Sequence, residues 1–399
     1  MLRFLFYFMP AVGDIILGVF FFVSAKRMAD SGASSYMIGL TMTTWAVFYA
    51  LTCFIEGFFI KKHNATKFLK ASQVIMLLAL VGQTFTENLK MQFVWLITTG
   101  IGSALFFASF LPVTKLLGKE EALDNMIKDA SIYTFSWSFG LAWGPFIAGF
   151  VWGLFNASNG WRYSYMIAIA LMLCVTAGVF VMSSAVSKHL AQENQDKPAQ
   201  AALKPAGKSL LEQRSLPNLM LAGWLLQGLG YIALAMMRTY LPDYCTKILA
   251  ISTFHQGIIM ALISFSQAFT GLACYKAHTW PYRPWTVASV SLLGVIAFLI
   301  FATASHWLLY ALAAVLFGSF TGVMCFVATF HALVNTEKTP RYVSVNETLV
   351  GVGSVLAPML GGFLATHGGS LAPFYCSLAC LLVCGLSYAS FTWKTRFLK

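Results

Sequence analysis

GLAWGPFIAGF, residues 140–150, and GSVLAPMLGGF, residues 353–363, carry one glycine-proline pattern twice. Gly140, Gly144, Pro145, Gly149 and Phe150 align with Gly353, Ala357, Pro358, Gly362 and Phe363 at a constant offset of 213 positions. Each copy lies inside a long apolar segment, so the chain reads as two related halves folded within a membrane. Internal repetition of this kind is a mark of secondary transporters.

The composition agrees. Charged residues make up 10% of the chain and hydrophobic ones 58%, whereas a soluble domain carries about 25% charged residues. That much apolar surface calls for lipid as its solvent. The net charge of +12 comes from Lys and Arg in short loops between apolar runs, with no continuous basic face. This excludes nucleic acid as the expected partner. Eight cysteines include no C-x-x-C pair, so neither a metal site nor a disulfide framework is indicated. Cys376, Cys380 and Cys384 share one helical face and read as packing residues. The N-terminus reads as an uncleaved first span.

A spanning helix needs about 20 apolar residues. Twelve such stretches fall at 4–25, 35–60, 69–87, 91–114, 130–155, 161–185, 217–240, 253–275, 284–303, 305–332, 343–366 and 372–393. The longest polar stretch, Ser187 to Ser215, lacks apolar periodicity and reads as a flexible linker. The expected organisation is therefore a six-helix half at 1–185, a linker at 186–216 and a second six-helix half at 217–399. With the N-terminus inside, inner segments hold 20 of the 26 Lys and Arg residues and outer segments hold 6. By the positive-inside effect both termini and the linker are expected in the cytoplasm. The expected location is the cell membrane, meaning the inner membrane if the source is bacterial.

Pro145 and Pro358 each remove one helical hydrogen bond, and the flanking glycines (Gly140, Gly144, Gly149; Gly353, Gly361, Gly362) remove side-chain bulk. The result is a bent helix that can approach and slide along a neighbour. The plainer reading is close packing, as expected at Gly318 and Gly322.

Asp14 lies near the middle of the first span, where an ionised carboxylate costs about 2.5–3.5 kcal/mol or more. It reads as a proton carrier or as the counter-charge for a cationic substrate; the alternative is an acid that staples the first span to another helix. Gln227 sits at the same depth of the seventh span, again 213 positions on, with Trp224 and Tyr231 on its face. Gln267 lies mid-span in the eighth helix and reads as cavity or packing. Glu56 ends the second span beside Gly57, and reads as a gate acid or as a solvated helix end; Asn346 and Glu347 begin the eleventh. His63, His189, His278 and His331 have no companions at metal spacing. No catalytic constellation or nucleotide motif is visible. The chain is expected to be neither an enzyme nor a holder of metal or cofactor.

Twelve spans in two halves, a central cytoplasmic linker and both ends inside resemble the major facilitator superfamily. Gly140 to Gly149 is similar to that family's antiporter-associated motif, with Ala148-Gly149 where the motif ends in Gly-Gly; Gly361-Gly362 keeps it. In the loop after the second span Gly57 matches, Lys61 replaces an Asp, Lys62 keeps a positive charge and Asn64 replaces a glycine. The fourth-span arginine of drug exporters is Leu96 here, four residues before Gly100. The resemblance implies an all-α membrane fold of twelve helices in two pseudo-symmetric bundles. It also implies that spans one, four, seven and ten line a central cavity, with Asp14 facing Gln227. Thr98 and Thr99, with Trp95, Thr321 and Cys325, are weaker cavity candidates.

The function implied is proton-coupled secondary transport of a small organic solute, with a lean towards export. Alternatives are a symporter or facilitator for sugars, nucleosides or carboxylates, or a non-transporting receptor or scaffold. Expected partners are the lipid bilayer, a small-molecule substrate and protons, and the chain is expected to act as a monomer.

Overall fold

The computed structural model describes residues 6–33, 35–61, 63–116, 123–200, 216–251, 253–276, 280–335 and 338–396. Lys62, His278 and residues 201–215 of the expected linker lie outside the described residues.

The described chain is helical throughout. Twelve α-helices follow in order: α1 Phe8–Asp30, α2 Ser35–Phe59, α3 Ala65–Phe85, α4 Gln92–Lys115, α5 Leu123–Leu154, α6 Asn156–Gln200, α7 Met220–Lys247, α8 Thr253–Ala273, α9 Pro284–Thr303, α10 Trp307–Val334, α11 Thr339–His367 and α12 Ala372–Arg396. Eleven of them are long and apolar enough to cross a membrane. The other is α5, whose aliphatic content is diluted by Ser, Trp, Gly and Pro. The α6 helix runs on to Gln200, into the stretch read as a linker. That extension has no apolar stripe; its Ala, Gln, Glu and Lys residues favour helix, while Asn194, Asp196 and Pro198 do not.

Solvent exposure sorts the helices. The most apolar windows of α1, α4 and α7 are each 67% buried and that of α10 is 72%, while α11 reaches only 22%. The exposed helices show large apolar side chains outward, among them Phe54, Phe58, Phe59, Met359 and Leu386. Such a surface is at rest only against hydrocarbon.

The chain divides into two compact units. The first comprises Met1–Asn125, Trp143–Leu216 and Leu333–Thr348. Small residues set its helix approaches. A Cβ at Gly82 would lie 2.4 Å from the Trp95 ring, and one at Gly100 would lie 2.7 Å from the Trp45 carbonyl oxygen. These close contacts lock α4 against α3 and α2. Polar links reinforce them: Trp95 Nε1 donates to Thr86 Oγ1 at 2.8 Å, and Trp45 Nε1 donates to Ser103 Oγ at 3.0 Å. Interhelical hydrogen bonds in lipid average about 0.6 kcal/mol each, so close packing carries more of the specificity. The Arg27 guanidinium, 3.8 Å from the centre of the Trp161 ring, donates to the Thr86 carbonyl at 2.7 Å.

The second unit comprises Met126–Ala142, Pro217–Ala332 and Leu349–Lys399. Gly318 and Gly322 face the Ile263 and Gln267 carbonyls, at 2.4 and 2.5 Å from an ideal Cβ. This is the close-packing role expected for that pair, and it seats α10 on α8. His331 Nε2 and Tyr388 Oη are 2.8 Å apart, and Tyr388 Oη donates to the Pro281 carbonyl. His331 is thereby a structural histidine. Just outside the spans, burial pushes the Tyr282 phenol up from its ordinary pKa.

Candidate functional site

In the first unit, Asp14 is 8% exposed on α1 and flanked by two glycine approaches. Gly13 meets the Phe106 ring of α4, 3.1 Å from an ideal Cβ. Gly18, one turn beyond Asp14, meets Gly144 and Pro145 of α5 so closely that a Cβ at Gly144 would lie 2.6 Å from Gly18 Cα. Gly144 and Pro145 of the first glycine-proline copy are therefore the surface on which the acid-bearing helix rests. Of the α4 candidates, half-buried Thr98 donates to the Val94 carbonyl at 2.9 Å, while buried Thr99 donates to the Trp95 carbonyl at 2.8 Å. Both hydroxyl protons are used within α4's own turns.

In the second unit, Gln227 is 5% exposed, and its Oε1 is buried with no hydrogen-bond partner among the described residues. An amide carbonyl left in that condition costs about 1–3 kcal/mol. Tyr231 is buried one turn further along α7, and Trp224 is half-buried one turn before. Here the second glycine-proline copy makes its contact: Gly353 of α11 opposes the Tyr231 ring at 3.0 Å from an ideal Cβ, and Gly361 opposes Met236 at the same distance. Gln267 is fully buried; its Nε2 donates to Ser138 Oγ of α5 at 2.8 Å, while Oε1 has no partner among the described residues. Thr321 spends its hydroxyl proton on the Gly318 carbonyl.

A second group lies in the first unit, where α2 meets the start of α11. Glu56 is 2% exposed; its Oε1 accepts a 2.6 Å hydrogen bond from Ser109 Oγ, and its Oε2 has no hydrogen-bond partner among the described residues. None of the described salt bridges involves Glu56; its bonded partner is a hydroxyl, and its burial sets aside the reading of a solvated helix end. Tyr49 Oη donates to Glu347 Oε2 at 2.5 Å, and Gly57 packs on Ser344, 3.1 Å from an ideal Cβ. Tyr49, Cys53 and Glu56 lie at i, i+4 and i+7, one face of α2. Sequence reasoning found Glu56, Gly57 and Glu347 and missed Tyr49 and Ser109. The helical spacing alone could have added Tyr49. Nearby, Lys115 Nζ donates to the Leu333 carbonyl at 2.8 Å and to Thr339 Oγ1 at 3.1 Å, a cation satisfying the end of α10. Among the described residues no group of His, Cys, Asp and Glu is arranged to hold a metal ion.

A polytopic helical membrane protein, with carboxylate and amide side chains buried inside spans and glycine-smoothed helix crossings, is the class this architecture defines. The chain belongs to the Major Facilitator Superfamily, whose family model matches residues 4–336. Its fold is shared with the crystal structure of the human organic anion transporter MFSD10 (TETRAN), at 12% identity and a TM-score of 0.74, covering 96% of this chain and 98% of that one. It is shared also with the proton:xylose symporter XylE bound to 6-bromo-6-deoxy-D-glucose, at 15% identity and a TM-score of 0.69, covering 98% and 94%. The comparison with curated protein sequences gives no match. The family and both structural neighbours are transporters.

Proposed function

We propose that the chain is a secondary active transporter of a small organic solute, coupled to protons, with Asp14 as the proton-carrying side chain. The observation that carries this reading is the placement of Asp14: a buried carboxylate inside a spanning helix, one turn from the Gly18–Gly144 approach. A change of charge at Asp14 acts on the same helix that meets Gly144 and Pro145 of α5. An ionised carboxylate in the bilayer interior costs about 2.5–3.5 kcal/mol or more. That is enough to bias a two-state equilibrium roughly a hundredfold. Gln227, at the matching position of α7 with an unsatisfied carbonyl, offers the solute a hydrogen-bond acceptor, and Tyr231 and Trp224 offer aromatic surface. Gly144 and Pro145 against α1, with Gly353 against α7, form the sliding contacts, and Gly140, Gly149, Pro358, Gly361 and Gly362 complete the motif around them. Glu56 and Gly57 serve as the gate between α2 and α11. The chain acts as a monomer in the cell membrane with both termini cytoplasmic.

The two structural neighbours, one an organic anion transporter and one a proton:xylose symporter, support an organic solute and leave import and export as competing directions. The test is flux in proteoliposomes under an imposed pH gradient. Asp14→Asn is expected to abolish gradient-driven accumulation while leaving exchange at equal pH. Unchanged gradient-driven accumulation in Asp14→Asn removes the acid from the mechanism. Flux that ignores the gradient in the unmodified protein turns the reading to a facilitator.

A further inference from the structure

Within the first unit a cavity of about 320 Å³ opens where α2 ends and α11 begins, lined by Gly57, Phe58, Ile60, Lys61, Lys338, Pro340 and Arg341. Three of its described lining residues are cationic, and none of the described ones is acidic. Lys61, Lys338 and Arg341 are all exposed, and none of them takes part in the described salt bridges. Their placement is electrostatically unfavourable in two ways. Three like charges converge on one small volume. Two of them also flank the N-terminus of α11, the positive end of that helix's dipole, where the first turn holds no acidic residue. A solvated basic loop has no need of that arrangement; an anion held in the cavity offsets both costs and gains the helix terminus as a partner.

The second observation concerns what lies alongside. Phe58 and Phe59 are 59% and 62% exposed at the very end of the α2 span, so an apolar surface continues from the cationic cavity into the hydrocarbon. Juxtaposed cations and lipid-facing aromatics match a molecule with a phosphate at one end and acyl chains at the other. We propose that this cavity binds a phosphate group, and that the headgroup of an anionic phospholipid supplies it. Because α2 and α11 both line the cavity, an occupant bridges the two helices and holds them together at that end.

The proposal is tested on the full chain purified in neutral detergent, titrated with phosphatidylglycerol or phosphatidylcholine, with retained lipid counted by native mass spectrometry. Phosphatidylglycerol is expected to be retained in preference. Each charge removed, in Lys61→Gln and in the double variant Lys338→Gln/Arg341→Gln, is expected to weaken retention about fivefold. Lys338→Arg, which keeps the charge, and Lys67→Gln, on exposed α3 surface away from the cavity, are expected to retain the preference. A monodisperse elution profile confirms that each variant is folded. Displacement of phosphatidylglycerol by inorganic phosphate supports the phosphate site and assigns its source to solution. Equal retention of the two lipids, or an undiminished phosphatidylglycerol preference in the double variant, overturns the proposal.

Discussion

The two glycine-proline copies share a sequence pattern and differ in what they touch. In the first, Gly144 of α5 rests on Gly18 of α1, backbone against backbone. In the second, the residue 213 positions after Gly18 is Tyr231 and the residue matching Gly144 is Ala357. The contact there is made by Gly353, one turn earlier, which leaves room for the Tyr231 ring. The repeat thus preserves where each helix carries its glycines and proline, and the partner helix decides how that smoothness is used. The asymmetry falls one turn from the pair Asp14 and Gln227. The acid-bearing helix has the tightest possible neighbour, and the amide-bearing helix carries an aromatic ring at the same level. Two halves of common pattern have become chemically unlike at the depth where the proposed site lies.

The largest effect is expected where no side chain can yield. In Gly144→Ala the added methyl would sit 2.6 Å from Gly18 Cα and 2.8 Å from the Ile15 carbonyl oxygen, all main chain. Overpacking of this kind costs about 1–3 kcal/mol. With backbone on both sides, the upper end of that range is expected. A clear fall in the thermal midpoint and loss of transport should follow, and no truncation can rescue it, because position 18 is already glycine. Wild-type stability in Gly144→Ala would show that the first copy is looser than its geometry states.

Gly353→Ala is expected to be milder and, unlike its counterpart, to be rescuable. Its methyl would meet Tyr231 Cδ1 at 3.0 Å, a side-chain atom that can rotate away or be removed. A loss of about 1 kcal/mol is expected, at the low end for overpacking. In the double variant with Tyr231→Ala the methyl should cost nothing further. The coupling of the two changes, read from a double-mutant cycle in thermal stability, is the quantity that distinguishes the copies. Additive effects would mean that the ring and the glycine do not share a contact.

Much of this fold could be read from the residues because lipid imposes a length. Stretches expected at 35–60, 284–303 and 305–332 are the helices Ser35–Phe59, Pro284–Thr303 and Trp307–Val334. The difference comes where lipid stops dictating: α6 runs on to Gln200, beyond the apolar stretch that ends near 185. For the candidate site, the burial of Asp14 inside a span was legible because a carboxylate within an apolar run stands out from its surroundings. Ser109 as the partner of Glu56, and Ser138 as the partner of Gln267, were not. Each joins residues more than 50 positions apart, and their meeting depends on helix rotation and register, which local pattern does not encode. The Tyr231 substitution for Gly18 was available from the 213-residue offset, yet its meaning needed the positions of Gly144 and Gly353 in space.

The smallest effects test the ends of the two copies, where the pattern reads Ala148-Gly149 in one and Gly361-Gly362 in the other. Ala148 is fully buried, so the first half packs a methyl at this position without a glycine. Gly361→Ala converts the second copy to the first; its methyl would meet Met236 Cγ at 3.0 Å, on an unbranched side chain able to adjust. Gly362→Ala places a methyl where, beyond its own helix backbone, no atom of the described residues lies within 4 Å. Open space on a helix leaves only the propensity term, which favours Ala over Gly by about 1 kcal/mol in water. Both variants are therefore expected to unfold within about 0.5 kcal/mol of the parent or slightly above it, and to transport at its rate. If Gly361→Ala instead abolished transport while leaving stability intact, the second copy would have to accommodate a sliding contact at Met236 that the first copy, with Ala148, does without. The asymmetry between the halves would then extend along the whole motif, beyond the single turn at Tyr231.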